Sequence, residues 1–195
     1  MKHDTLNEAD SKKILAENQE LRNAIIVMKQ RIDELEHLAD TDTLTPLPNR
    51  RAFLRRLESV MRYAERHGTP VAIVFIDLDG LKRINDEYGH HAGDIVLRHV
   101  ASQLSASLRA TDMVARIGGD EFGLILDHLE EANACAKALS LMQMIAENPV
   151  DIGSLKISVS VTAGVAALKP NDTLDSLIAR ADDAMYARRL HRSQI

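Results

Sequence analysis

The sequence is poor in the residues that most often betray a protein's chemistry. It has no tryptophan, only 3% aromatic residues and one cysteine, Cys135, among 195 residues. A single cysteine excludes an internal disulfide, and its apolar setting between Ala132 and Leu141 reads as that of a buried, inert thiol. Without a Cys/His cluster, zinc is not expected at His90 and His91, and His90 reads as a helix-start residue. Few aromatics and a formal net charge of -5 leave neither a stacking platform nor a basic face for a nucleic-acid polymer. No apolar run approaches the roughly 20 residues that span a bilayer. The polar start Met1-Lys2-His3-Asp4 also lacks a signal-peptide core, so the expected location is cytoplasmic.

What remains is ordinary soluble composition, 45% hydrophobic and 27% charged, sized for one catalytic domain plus an extension. The extension shows in a heptad: Ile14, Leu21, Met28 and Leu35 recur every seventh residue, with Ile25 and Ile32 on the second seam. Asn18 falls at an a position of that repeat, where a buried amide favours one register and two strands. The pattern over about residues 11–39 predicts a parallel, homodimeric coiled coil; the alternative is one amphipathic helix packed on its own domain. Cap-forming residues and Pro46 and Pro48 end the helix, dividing the chain into a coil over 1–40 and a domain over 41–195.

Within the domain, a helix is expected over Asn49 to Arg66 and a central strand over the apolar run Val71 to Leu78. A helix starting near Ala92 or Gly93 carries Val96, Leu97, Val100, Leu104 and Leu108 on one face. A hairpin follows around Gly118-Gly119, then a helix over Glu130 to Glu147. Ile157, Val159 and Val161 alternate as a strand, and a last helix runs from Leu174 to about Leu190. This order predicts an α+β sandwich with one covered sheet face.

The most informative residues are Gly118-Gly119-Asp120-Glu121-Phe122, two carboxylates directly after a glycine pair and between apolar strands. Paired glycines permit positive φ and close backbone approach, suiting a turn that holds a charged ligand; an ordinary hairpin is the alternative. The strand Val71 to Leu78 ends in Asp77 and, beyond Leu78, Asp79, two carboxylates at i and i+2. If that strand neighbours the hairpin, Asp77 and Asp120 lie about 5 Å apart, a spacing at which two carboxylates share a magnesium ion. Either segment alone reads as a solvent-exposed acidic strand end; together they point to metal-assisted phosphoryl chemistry.

Downstream, Asp77, Asp79, Lys82, Asn85, Asp86, Gly89, His90, Gly93 and Asp94 stand in the register of a known motif. The chain resembles the GGDEF diguanylate cyclases, whose pattern Asp-x-Asp-x-x-Lys-x-x-Asn-Asp-x-x-Gly-His-x-x-Gly-Asp these residues fit. Asp42-x-Leu44-Thr45-x-Leu47-x-Asn49-Arg50-Arg51-x-Phe53 resembles the family's opening, and Ala181-Asp182-x-Ala184-Met185-Tyr186 its last helix. The resemblance, over roughly residues 40–190, implies a ferredoxin-like, nucleotidyl-cyclase palm sandwich behind the coiled-coil helix. It also implies condensation of two GTP into cyclic di-GMP and two pyrophosphates, with each protomer of a homodimer presenting one half-site. By the same resemblance Asp77, Asp120 and the Leu78 carbonyl hold magnesium, or manganese in its place. Asp120 or Glu121 helps deprotonate the attacking hydroxyl, and Asn85 and Asp94 read guanine. Lys82 and the backbone of Gly80 and Leu81 hold phosphates, beside the Gly118-Gly119 turn.

Arg109 and Asp112 match the family's Arg-x-x-Asp inhibitory site for product, where an arginine grips guanine O6 and N7; a surface ion pair across one turn is the alternative. The chain departs from the family at Pro46, where glycine is usual, and at Gly80, where an aromatic is common. Alignment on Tyr186 also places Arg189 and Ser193 where the family often has a phosphate-binding Lys and Arg; Arg189 still neutralises phosphate, and Arg192 is a candidate for the second charge. The competing expectation is a catalytically silent GTP sensor or cyclic di-GMP receptor that signals through the coil. A coiled-coil scaffold with no nucleotide role is a third.

Overall fold

The computed structural model describes residues 3–153 and 155–192, with the side chains of 3–10, 30, 32–39, 191 and 192 outside the description. Ser193 lies beyond the described residues and the Arg192 side chain is among those not described. The chain divides into two compact units, residues 1–40 and 41–195.

The first unit is one helix, α1 (His3–Asp40). Its heptad residues Ile14, Leu21, Ile25 and Met28 are 52–65% exposed. The Asn18 amide donates to the Ile14 carbonyl one turn earlier, at 3.2 Å. Ile32 and Leu35 fall among the side chains outside the description. Among the described residues, no helix is long and apolar enough to cross a membrane.

The second unit is an α+β sandwich built on a four-stranded sheet whose strands lie in the order Met113–Arg116, Glu121–Asp127, Val71–Leu78 and Val161–Ala167, each neighbouring pair antiparallel. The strands are β1 (Val71–Leu78), β2 (Met113–Arg116), β3 (Glu121–Asp127) and β6 (Val161–Ala167), and a separate small hairpin joins β4 (Val150–Asp151) to β5 (Lys156–Ile157). The helices are α2 (Arg50–His67), α3 (Leu81–Tyr88), α4 (His90–Ala106), α5 (Glu131–Glu147) and α6 (Leu174–Arg192). Local signals set α2: Asn49 caps its first turn by accepting from the Ala52 N–H at 3.1 Å, and Gly68 ends it at φ 67°.

Every residue of β1 is buried, because both sheet faces are covered rather than the expected one. Ala72, Val74, Ile76 and Leu78 join Val96 and Val100 of α4 and Leu141 and Ile145 of α5 in one core. Val71, Ile73 and Phe75 join Phe53 and Leu57 of α2 and Leu177 and Ala181 of α6 in the other. Unbroken apolar character, with no alternation, is what a strand covered on both faces requires. Two further expectations change. α3 is a helix that the apolar pattern did not mark, since Ile84 is its only buried residue. The alternation at 157–161 is also not one strand: β5 stops at Ile157, and β6 starts at Val161 and continues to Ala167.

Phe75 sits in register between Gly123 of β3 and Gly164 of β6. A Cβ at Gly123 would meet the Phe53 ring at 2.9 Å, and that ring packs on Phe75 with centroids 5.9 Å apart. A Cβ at Gly164 would strike α6 backbone, the Ala181 carbonyl and the Met185 nitrogen, each at 2.3 Å. The glycines therefore let an aromatic pair and a helix settle directly onto the sheet.

Backbone cannot withdraw as a flexible side chain can, so Gly164→Ala is expected to destabilise the protein by about 3 kcal/mol in urea unfolding. Gly119→Ala, where a Cβ would meet nothing within 4 Å, is the control and should stay within about 0.5 kcal/mol of the parent. Equal effects would show that the α6 contact is not tight.

Candidate active site

The site forms where β1 runs out. Asp77 is the last odd-numbered residue of the strand, on the side facing α2 and α6, and the residue is 4% exposed. Its register partners are Glu121 on β3 and Thr162 on β6, so the carboxylate directly across is Glu121 rather than Asp120. Asp120 is adjacent, and the Leu78 N–H donates to its carbonyl at 3.0 Å. That bond sets the last peptide of β1 against the turn carrying Asp120.

The turn is closed by Ile117 and Gly118, whose N–H groups donate to the Glu121 carbonyl at 2.9 and 3.3 Å. Positive φ is not what the glycine pair supplies, as neither residue adopts it. Gly118 supplies close approach: a Cβ there would lie 2.3 Å from Glu121 Oε2. Glu121 thus folds its carboxylate back over the turn, beside Asp77. Asp79, by contrast, is held in the structure: it accepts from Ser160 Oγ at 2.7 Å and Thr162 Oγ1 at 2.8 Å, and its N–H donates to the Ser160 carbonyl.

Electrostatically the cluster is short of positive charge. Burial pushes the Asp77 carboxyl up to about 6, against the pull of Arg189 and assisted by the negative charge of Asp120, Glu121 and Asp79. Arg189, from α6, donates through Nη1 to Asp77 Oδ2 at 3.2 Å, and its Nη2 lies 3.1 Å from Oδ1. The second contact is an ion pair without hydrogen-bond geometry, so Oδ1 remains a buried oxygen lacking a hydrogen-bond partner. An under-satisfied carboxylate oxygen next to further carboxylates suits a hard divalent cation. Among the described residues no three His, Cys, Asp or Glu side chains are grouped to hold a metal, so any such ion would rest on two carboxylates and backbone or ligand oxygens.

Beside this cluster α3 opens at Gly80, in the left-handed region at φ 73°, with no side-chain cap. The first-turn N–H groups of a helix have no intrahelical acceptor, and here they belong to a segment carrying Leu81 and exposed Lys82. One turn on, Asn85 lies against α4: a Cβ on Gly93 would meet Asn85 Oδ1 at 2.0 Å. This contact brings Asn85 alongside the residue after Gly93, half-buried Asp94.

Arg109 and Asp112 are not part of this cluster. They precede β2, at the opposite end of the β2–β3 hairpin from Gly118, and line a cavity of about 380 Å³ with Asp127, Asn133 and Lys137. The Asp112 carboxylate accepts from the backbone N–H groups of Arg109 and Asp127, both at 3.2 Å.

Residues that sequence reasoning gave no role also shape the site. Arg116 donates to both Asp42 oxygens, at 3.1 and 3.3 Å, and to the Gly119 carbonyl at 2.7 Å. Its backbone N–H donates to the Pro48 carbonyl at 2.9 Å. Asp42 also accepts from the Leu44 and Thr45 N–H groups and the Thr45 hydroxyl. The hairpin turn and the 42–48 segment are thereby clamped together. Burial alone would raise the Asp42 carboxyl, but the Thr45 donors and Arg116 outweigh it and hold it below its ordinary range.

The family described as "Diguanylate cyclase, GGDEF domain" matches residues 39–194. Over 155 residues the chain is 43% identical to the bifunctional diguanylate cyclase/cyclic di-GMP phosphodiesterase MucR of Pseudomonas aeruginosa, covering 78% of this chain and 22% of that protein. It is 36% identical over 162 residues to the response regulator PleD of Caulobacter vibrioides, covering 82% and 36%. The chain thus spans well under half the length of these curated relatives. Among solved structures, the coiled coil and GGDEF domain of DgcB from Caulobacter crescentus, in complex with c-di-GMP, matches with a TM-score of 0.79 at 27% identity, covering 91% of this chain and 95% of that one.

The clamp yields a prediction with a definite sign. Asp42 has a lowered folded-state pKa, so its stabilisation is present above the unfolded carboxylate range and is lost as pH falls through the folded value. Asp42→Asn should therefore lower stability at pH 7 by about 2 kcal/mol, and the deficit should shrink in urea titrations at progressively lower pH. A deficit that does not vary with pH would remove the charge from the explanation.

Proposed function

The chain belongs to the diguanylate cyclase GGDEF-domain family, and on that footing we propose that it condenses two GTP molecules into cyclic di-GMP with release of two pyrophosphates. The observation carrying this reading is the convergence of Asp77, Asp120 and Glu121 on the end of β1, beside the N-terminus of α3 and the Asn85–Gly93 contact. Two protomers each present one GTP, so that the 3′-hydroxyl of one nucleotide attacks the α-phosphate of the other in line. The exposed heptad of α1 supports pairing of two copies through a coiled coil.

Asp77, Asp120 and the Leu78 carbonyl would hold magnesium, or manganese in its place, and that ion would neutralise charge developing on the phosphate. Asp120 or Glu121 accepts the proton of the attacking hydroxyl. The backbone N–H groups of Gly80 and Leu81, where α3 begins, bind phosphate oxygens together with Lys82, along the Gly118-Gly119 turn. Arg189 adds a further positive charge for the phosphates. The Asn85 amide and the Asp94 carboxylate read guanine, the carboxylate accepting from its N1–H and exocyclic amine, a donor pair that adenine lacks. Arg109 and Asp112 line a second, product-binding site through which cyclic di-GMP restrains its own synthesis, with the arginine on guanine O6 and N7. A GTP substrate places this activity in the cytoplasm.

The test is chromatography of nucleotides formed from GTP and magnesium by protein stripped of bound nucleotide. Cyclic di-GMP is expected, with turnover reduced at least about hundredfold in Asp120→Asn. Tight binding of cyclic di-GMP without any product would instead favour a receptor. Base recognition is tested separately by Gly93→Ala, whose Cβ displaces the Asn85 amide. Affinity for a non-reacting GTP analogue should fall at least about tenfold by calorimetry, with little change in the unfolding midpoint. An affinity within about twofold of the parent would take Asn85 out of base recognition.

A further inference from the structure

We propose that Arg189 is a latch on the metal-binding carboxylate: in the nucleotide-free protein its guanidinium stands in for the cation at Asp77, and it moves to the phosphates when nucleotide and metal arrive together. The proposal rests on the metal and GTP assignments made above and adds a regulation of that site.

The geometry carries it. The guanidinium addresses both Asp77 oxygens, with Nη1 at 3.2 Å from Oδ2 and Nη2 at 3.1 Å from Oδ1. Asp77 itself is almost fully buried, so a cation entering the site meets a carboxylate already engaged by a positive charge. A divalent ion bonded to an Asp77 oxygen would sit about 2 Å from it, close to the guanidinium and repelled by it. Metal and arginine therefore compete for one carboxylate.

Release is equally legible. The Arg189 side chain is 50% exposed, whereas that of Asp77 is 5% exposed. The arginine thus reaches in from the surface and can swing back without disturbing the core. A triphosphate offers a planar, doubly donating guanidinium more negative charge than a single carboxylate does, in a geometry that it matches. Once Arg189 has transferred, Asp77 is open to the ion. Binding of metal and of nucleotide thus becomes mutually reinforcing, and each raises the affinity for the other by the same factor.

The experiment measures manganese affinity of the full chain without nucleotide, from the electron paramagnetic resonance signal of the free ion. Arg189→Gln should bind manganese at least about fivefold more tightly than the parent, and Asp77→Asn combined with Arg189→Gln should abolish that gain. Arg188→Gln makes the same charge change one residue away and should stay within about twofold of the parent. Arg189→Lys keeps the charge but cannot span both oxygens, and should fall between the parent and Arg189→Gln; it serves as the second variant if Arg189→Gln folds poorly. With a saturating non-reacting GTP analogue present, the advantage of Arg189→Gln should shrink to within about twofold, because Asp77 is then open in both proteins. Equal affinity in Arg189→Gln and the parent without nucleotide, or an equal gain in Arg188→Gln, overturns the latch and leaves the metal site standing. Absence of manganese binding by every variant, even with the analogue, overturns the metal site and the latch with it.

Discussion

A carboxylate buried at the end of the most buried strand is the constraint around which this domain is arranged. Both faces of β1 are packed, so Asp77 has little water to solvate its charge. An unpaired charge in such a place is strongly unfavourable. What surrounds it reads as a response: Arg189 reaches in from α6, the hydroxyls of Ser160 and Thr162 hold neighbouring Asp79, and the hairpin turn brings the Leu78 peptide to Asp120. The arrangement lessens the electrostatic demand without meeting it, which keeps the site receptive to a cation.

Holding the turn in place falls to a residue outside the carboxylate cluster. Arg116 ties the Gly119 carbonyl to Asp42, and Asp42 in turn orders the backbone of Leu44 and Thr45. One guanidinium therefore spans two loops far apart in sequence, and its several bonds are mutually supporting. Precision at Asp120 and Glu121 derives from this clamp and from the ladder between β1 and β3, two rigid sources.

Much of this was readable in the sequence where the determinants are local. The apolar run gives the bounds of β1, the Asn49 and Gly68 caps frame α2, and the acidic and glycine positions marked the site with its family. Other features were not readable because they are settled by distant partners. α3 has only Ile84 to bury, so no apolar period announces it. The alternation at Ile157, Val159 and Val161 suggests one strand, but Ser160 leaves the ladder to bond Asp79, reached only through the tertiary fold. Asp77 and Arg189 are 112 residues apart, and alignment on Tyr186 puts the arginine at the family's phosphate-binding position without hinting at the carboxylate it bonds. The clamp is similar: Asp42 belongs to the opening motif and Arg116 to the strand before the glycine pair, yet their pairing across 74 residues is a property of the fold.

The seat of α6 on Gly164 has a consequence for timescale. Backbone meets backbone there, at Ala181 and Met185, so the helix is pinned about one turn before Arg189. At 1.5 Å per residue the lever from Met185 to Arg189 is only about 6 Å long, and a ~10° tilt about the pin would carry the arginine backbone by about 1 Å. Helix rocking is therefore a poor way to move this charge. Rotation about the bonds of a half-exposed side chain is a better one, and such rotations take picoseconds to nanoseconds. Exchange of Arg189 between partners would then always be at equilibrium on the scale of turnover, so that the site responds to nucleotide concentration rather than to the speed of its own rearrangement.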